Sequence, residues 1–174
     1  MSDNFDLNNL YLDDNNFTTL PDGDYRFRVE DLELDYSKSE KMPPNTRVLK
    51  YTLAIPFKNA DGQLDETTVR HNLNVYQPAL FAIRQFMECV GAMPEKGRAK
   101  MPDPKSIIGR TGVCSIRVAI SNKGNEYNQV DTCYPPSKAP TITANDDAFN
   151  MSVGKAEDSF HEMKEEEAEA NPFV

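Results

Sequence analysis

Leu49, Tyr51, Leu53, Ile55 and Phe57 alternate with Lys50, Thr52, Ala54 and Pro56, and this run constrains the fold more than any other part of the chain. A period of two puts five apolar side chains on one face of an extended strand, and that face has to be buried. The run stops at Asn59-Ala60-Asp61-Gly62, a turn of the Asp-Gly kind, so the stretch from about Leu64 to Leu73 is predicted to return as the second arm of a hairpin. Upstream, Leu20-Pro21-Asp22-Gly23-Asp24 is turn chemistry, and Tyr25, Phe27 and Val29 then alternate with Arg26, Arg28 and Glu30. The apolar positions next shift register to Leu32 and Leu34. One inserted residue does this, so the first strand is predicted to carry a β-bulge and to bend as the first strand of a small barrel must.

After the third strand the period changes. Pro78 suits the start of a helix, and Leu80, Phe81, Ile83, Arg84, Met87, Cys89 and Val90 keep helical spacing up to Gly91, a C-terminal stop. An irregular stretch holding Pro94, Pro102 and Pro104 follows. Ile116, Val118 and Ile120 predict a fourth strand, Asn122-Lys123-Gly124-Asn125 a turn, Tyr127 to Cys133 a fifth strand, and Tyr134-Pro135-Pro136 the end of the fold. Strand, strand, strand, helix, strand, strand is the order of an OB-fold, a five-stranded Greek-key barrel. The expectation is an all-β protein with one helix, organised as an N-terminal extension (1–19), an OB-fold-like domain (20–137) and an acidic tail (138–174). The tail is rich in Ala, Asn, Asp and Glu, a composition that cannot bury enough apolar surface to offset ordering entropy, so it is expected to be disordered.

Charge is segregated along the 174 residues, with the tail contributing −6 of a net −9. Between Tyr36 and Lys58 the only acid is Glu40, against Lys38, Lys41, Arg47, Lys50 and Lys58; from Pro94 to Asn125 seven cations face only Glu95 and Asp103. Two basic stretches in an acidic chain point to a local groove for polyanions, the other reading being ordinary solvated loop lysines. No run approaches the ~18 apolar residues of a membrane span, and the opening Met1-Ser2-Asp3 lacks the features of a signal peptide, which together predict a cytoplasmic protein. Cys89, Cys114 and Cys133 sit amid apolar neighbours and read as reduced core thiols, without the spacing of a zinc site.

In an OB-fold the second and third strands and the loops joining strands one to two and four to five bind oligonucleotides. Those loops here are Asp35 to Arg47, which coincides with a basic block, and Ser121 to Glu126, which carries Lys123. If Tyr51 and Val69 point inward, Lys50 and Arg70 share one outward face. The candidate nucleic-acid-binding set is therefore Lys38, Lys41, Arg47, Lys50, Arg70, Arg117 and Lys123, with Tyr36 and Tyr127 as platforms on which bases stack. Packing at the core or rim is the other reading for each tyrosine. Tyr25, Phe27, Tyr51 and Phe57 are assigned to the core.

The opening Leu-Pro-Asp-Gly-Asp-Tyr, the helix ending Cys89-Val90-Gly91 and the closing Gly124-Asn125-Glu126-Tyr127-Asn128-Gln129-Val130 resemble a family of small tailed-bacteriophage proteins. Members are found beside recombination ATPases and are inferred to bind single-stranded DNA. The resemblance implies an OB-fold and a role in phage DNA replication, recombination and repair in the host cytoplasm. The last ten residues, Glu165-Glu166-Glu167-Ala168-Glu169-Ala170-Asn171-Pro172-Phe173-Val174, are similar to the acidic tail of bacterial single-stranded DNA-binding proteins. In that family the carboxylates compete with DNA and an Ile-Pro-Phe tip docks replication and repair partners. The similarity assigns partner binding to Pro172, Phe173 and Val174; Asn171 stands where the family has Ile, and Val174 rather than Phe carries the terminal carboxylate. A generic solubilising tail is the alternative.

Catalysis is not expected. Gly109-Arg110-Thr111-Gly112 lacks the Gly-Lys-Ser/Thr ending of a phosphate loop, Asp22, Asp24, Asp61 and Asp65 read as turn residues, and His71 as a barrel histidine. No cofactor or metal is called for. The rival to DNA binding is a phage adaptor or assembly module that binds only proteins.

Overall fold

The computed structural model describes residues 19–154. Five strands, β1 (Gly23–Tyr36), β2 (Arg47–Lys58), β3 (Leu64–Val75), β4 (Thr111–Ile120) and β5 (Glu126–Tyr134), form one antiparallel sheet in the order β3-β2-β1-β4-β5. A single-turn 3-10 segment, Gln77–Ala79, leads into the helix α1 (Leu80–Cys89), which lies between β3 and β4 in the chain. The sheet is not closed. Among the described residues its edge strands β3 and β5 share no ladder, although they line opposite sides of one cleft.

β1 joins the two halves of the sheet. Gly23 to Arg28 pairs with β4, and Arg28 to Tyr36 pairs with β2, with a register shift between Val29 and Asp31. Glu30 is the extra residue, so the bulge implied by the shift from Val29 to Leu32 is present. Such an insertion increases local twist and bends the strand, which curls the sheet around its apolar face. Into that curl α1 presents Ile83, Phe86 and Met87, all buried. The Phe86 ring lies 6.1 Å from Phe27, 5.0 Å from Tyr51 and 5.1 Å from His71, centroid to centroid. It plugs the core, and truncating it to Ala would cost ~3–5 kcal/mol.

Leu49, Tyr51, Leu53 and Ile55 are buried, as are Tyr25, Phe27, Val29, Val69 and Leu73, while Phe57 packs at the margin. Leu80 and Phe81 keep helical spacing, yet Phe81 is 74% exposed because it lies off the stripe formed by Ile83, Phe86, Met87 and Val90. α1 stops at Gly91, whose φ of 73° is left-handed. The Gly109 to Gly112 stretch leads into β4, five residues before the strand is legible from alternation. A Cβ on Gly112 would lie 2.8 Å from Cys89 Sγ and 2.9 Å from Phe27 Cζ, so this glycine allows α1 to seat against the sheet. All three cysteines are buried and unbridged.

The fold does not end at Tyr134-Pro135-Pro136, and the tail boundary at 138 needs correction. Residues 143–148 pack against the sheet, and residues 146–154 are helical. The cause lies in β2. Pro56 has no N–H, and the β1–β2 ladder reaches no further than Arg28 opposite Ala54, which leaves backbone groups of both strands without partners. Asn145 supplies them: its side-chain amide donates to Arg26 O (2.9 Å) and Pro56 O (2.8 Å), and its oxygen accepts from Arg26 N–H (2.8 Å). Thr143 donates twice to the Asp146 carboxylate, its N–H to Oδ2 (3.0 Å) and its Oγ1 to Oδ1 (2.6 Å). Asp146 also pairs with Arg26 at 2.6 Å. The hydrogen bonds from Thr143 and Arg26 hold its carboxyl down at about 2. Asn145 and Ala148 of this segment are buried. The acidic run and the Pro172-Phe173-Val174 tip lie outside the described residues.

Candidate nucleic-acid interface

Strand register brings seven of the nine sequence-nominated residues to three places and leaves Arg117 and Lys123 apart from them. The first is the β1–β2 connection. Tyr36 is opposite Arg47, which is opposite Val75 on β3, so Tyr36 and Arg47 flank the loop that carries Lys38 and Lys41. The loop is held by its own short bonds. Ser37 N–H donates to Thr46 O (2.7 Å), Thr46 Oγ1 donates to Pro43 O (2.7 Å), and the Ser37 and Ser39 hydroxyls accept from Ser39 and Lys41 N–H at 3.2 Å each. Thr46 is buried and pins the base, whereas Lys38, Lys41 and Arg47 are exposed and Tyr36 is 55% exposed. No ion pair forms at these three cations among the described residues, and Glu40 is the one acid in the loop.

The second place is the outward face of β1, β2 and β3. Lys50 and Arg70 do share it, on adjacent rows: Glu33, Lys50 and Asn72 form one row, and Asp31, Thr52 and Arg70 the next. The face is not basic, however. Lys50 Nζ lies 2.8 Å from Asp35 Oδ2, Arg70 lies 3.5 Å from Glu33, and Arg28 lies 3.4 Å from Glu66. The bond from Lys50 and a backbone bond from Tyr36 hold the Asp35 carboxyl below its ordinary range. On the other half of the sheet Arg117 faces Asp131 at 3.8 Å, where the β4–β5 register shift pushes Asp131 out of the ladder. Alternation in the sequence gives the face of each cation but not the acid that cross-strand register brings to it.

The third place is the cleft between the open edges of β3 and β5. Its volume is about 550 Å³, and its walls are Thr67 to Asn72 on one side and Glu126 to Val130 on the other. It unites Arg70 with Tyr127, which is 46% exposed, and adds the amides of Asn72, Asn128 and Gln129, none of which the sequence nominated. The signal for them is weak, since isolated amides in a strand carry no period. Lys123 projects from the β4–β5 turn, closed by Ser121 N–H donating to Asn125 O at 2.8 Å.

His71, Asp22 and Asp24 make contacts within the fold. His71 lies edge-on to Phe86, with Nε2 3.9 Å from Cys133 Sγ, and burial lowers its pKa to about 4, so it is neutral near pH 7. Asp22 accepts from Val118 N–H at 2.7 Å and Asp24 from Tyr134 Oη at 2.8 Å. Among the described residues no three His, Cys, Asp or Glu side chains are grouped to hold a metal, and no helix is long and apolar enough to cross a membrane. No protein-family model matches the chain, and no curated protein matches it as a relative.

Proposed function

We propose that the chain is an OB-fold single-stranded DNA-binding protein of phage replication and recombination, working without catalysis in the host cytoplasm. One observation carries the reading: Tyr36, Lys38, Lys41 and Arg47 gather at one pinned loop, exposed and outside any described ion pair. A ring flanked by point cations is what a sequence-tolerant strand binder uses, the ring stacking on a base and the cations tracking phosphates. Strand order, the β1 bulge and the placement of α1 support the OB-fold, with the cleft as the seam where β3 and β5 would meet.

The described body carries 17 cations and 17 acids, so the net −9 resides in residues 1–18 and 155–174. A neutral body with a basic loop and a separate acidic run matches a tail that competes with DNA and recruits partners through Pro172, Phe173 and Val174. Lys50, Arg70 and Arg117 would contribute only by exchanging a carboxylate for a phosphate. That pairing is also what favours the second reading, a protein-only adaptor. Labelled oligo-dT titrated at two salt concentrations, with duplex as competitor, separates them. Salt-sensitive binding that duplex competes for poorly supports the proposal, and absence of binding at low salt overturns it.

A further inference from the structure

The two faces of the β1–β2–β3 sheet carry different groups, and cross-strand pairing sorts them. Tyr36, Arg47 and Val75 lie opposite one another in one row, directly beyond the row of Leu34, Leu49 and Leu73. Leu49 and Leu73 are buried, so both rows belong to the inward face, which the core covers farther along the strands. Asp35 and Lys50, paired with each other, point the opposite way. At the row of Tyr36 the cover has run out: Leu34 is 60% exposed, and Tyr36 and Val75 are exposed as well. The inward face therefore continues as an apolar shelf that holds one ring and one guanidinium, Tyr36 and Arg47. Lys50 and Arg70 stand on the other side of the sheet.

We propose that single-stranded nucleic acid lies on this shelf and continues over the connection between α1 and β4, where Lys100 and Lys105 take its phosphates, a path that rests on the DNA-binding function proposed above. The connection is fixed to the same side of the sheet. Its 3-10 turn, Pro104–Ile107, packs against β1 with Ile107 in the core, and Pro104 O accepts from Tyr51 Oη at 2.7 Å. Tyr51 lies on the inward face two rows from Arg47, about 14 Å along β2. That distance is short against the ~4–16 nucleotides that one such fold covers. Side chains also hold the connection in shape, with Arg84 donating to Pro94 O (3.0 Å) and Gly97 O (2.7 Å). Its two acids are engaged elsewhere: Glu95 accepts from Ser137 N–H at 3.2 Å, and Asp103 from Lys105 N–H at 3.0 Å. Lys96, Arg98, Lys100 and Lys105 are exposed and form no ion pair among the described residues. A phosphate arriving there has no carboxylate to displace, and the ring on the shelf offers stacking to a base. An acidic peptide would use the lysines and leave Tyr36 without a role.

Oligo-dT binding by the full chain carrying Lys100→Ala and Lys105→Ala tests this. If each lysine neutralises one phosphate, the log–log salt slope should become shallower by about 1.4 and low-salt affinity should fall at least ~10-fold. The melting curve should not move, since both side chains are exposed. Leu34→Glu, which sets a carboxylate on the exposed shelf, should weaken binding by a similar factor. Either variant binding like the unaltered chain overturns the path while leaving the DNA-binding function standing. Absence of binding by the unaltered chain at low salt overturns both. A polyglutamate peptide that binds the unaltered chain and loses affinity in the lysine variant, while oligo-dT does not, assigns the connection to an acidic protein segment and also overturns the path.

Discussion

The β1–β2 loop and the outward face of β1, β2 and β3 hold cations of the same kinds in opposite settings. On the face, each long basic side chain meets a carboxylate of another strand: Lys50 with Asp35 on the adjacent strand, and Arg70 with Glu33 and Arg28 with Glu66 across β2. In the loop, Lys38, Lys41 and Arg47 project from a backbone pinned by serine and threonine hydroxyls and form no described ion pair. A phosphate approaching the face must displace a carboxylate. One approaching the loop need only displace water and counterions, so equal numbers of lysines and arginines are worth different amounts to a polyanion.

Replacing Lys38, Lys41 and Arg47 together with Ala should have the largest effect. If each neutralises one phosphate, the log–log salt slope for single strands becomes shallower by about 2, and low-salt affinity falls on the order of a hundredfold. Tyr36→Leu should come next, weakening oligonucleotide binding by ~1–3 kcal/mol without loss of fold. The platform assignment fails if that variant melts early while its folded fraction binds normally. The Lys50→Ala, Arg70→Ala double variant should change affinity by less than about threefold and barely move Tm, since exposed pairs are worth only ~0–1 kcal/mol. A tenfold loss there would erase the distinction between face and loop.

Smaller still are the effects of acid on the pairs. Asp35 and Asp146 both have depressed folded pKa values, so the stabilisation from their charged forms is complete above the ordinary carboxylate value of 3.8 and is lost as pH falls through the folded value. Binding should therefore be insensitive to these pairs from pH 5 to 8. The docking of residues 143–148 through Asp146 should weaken only between about 4 and about 2. Carboxyl chemical shifts followed by NMR would check both; an Asp146 midpoint near 4 would mean that its bonds to Thr143 and Arg26 do not form in solution.

The first two strands were legible because each carries a stripe that burial enforces, Tyr25 to Val29 and Leu49 to Ile55; β4 was legible from alternation although only Ile116 of its stripe is buried and Ile120 is 69% exposed. The β1 bulge was legible from the shift between Val29 and Leu32, and α1 from its spacing and its glycine stop. The docked segment after Lys138 was not. Its anchor, Asn145, matters because Pro56, 89 positions earlier, leaves a ladder incomplete, and composition carries no trace of that. The same limit explains the site. Outward positions could be assigned residue by residue, but Asp35 beside Lys50 and Glu33 beside Arg70 depend on cross-strand register, and the cleft depends on two edges failing to meet.

The most direct measurement is the salt dependence of oligo-dT binding for three proteins side by side: the unaltered chain, the loop triple variant and the Lys50/Arg70 double variant. The double variant should reproduce the slope of the unaltered chain, and the triple variant should flatten it by about 2. Flattening by the double variant with an unchanged slope in the triple would place the phosphate path on the strand face and contradict the account.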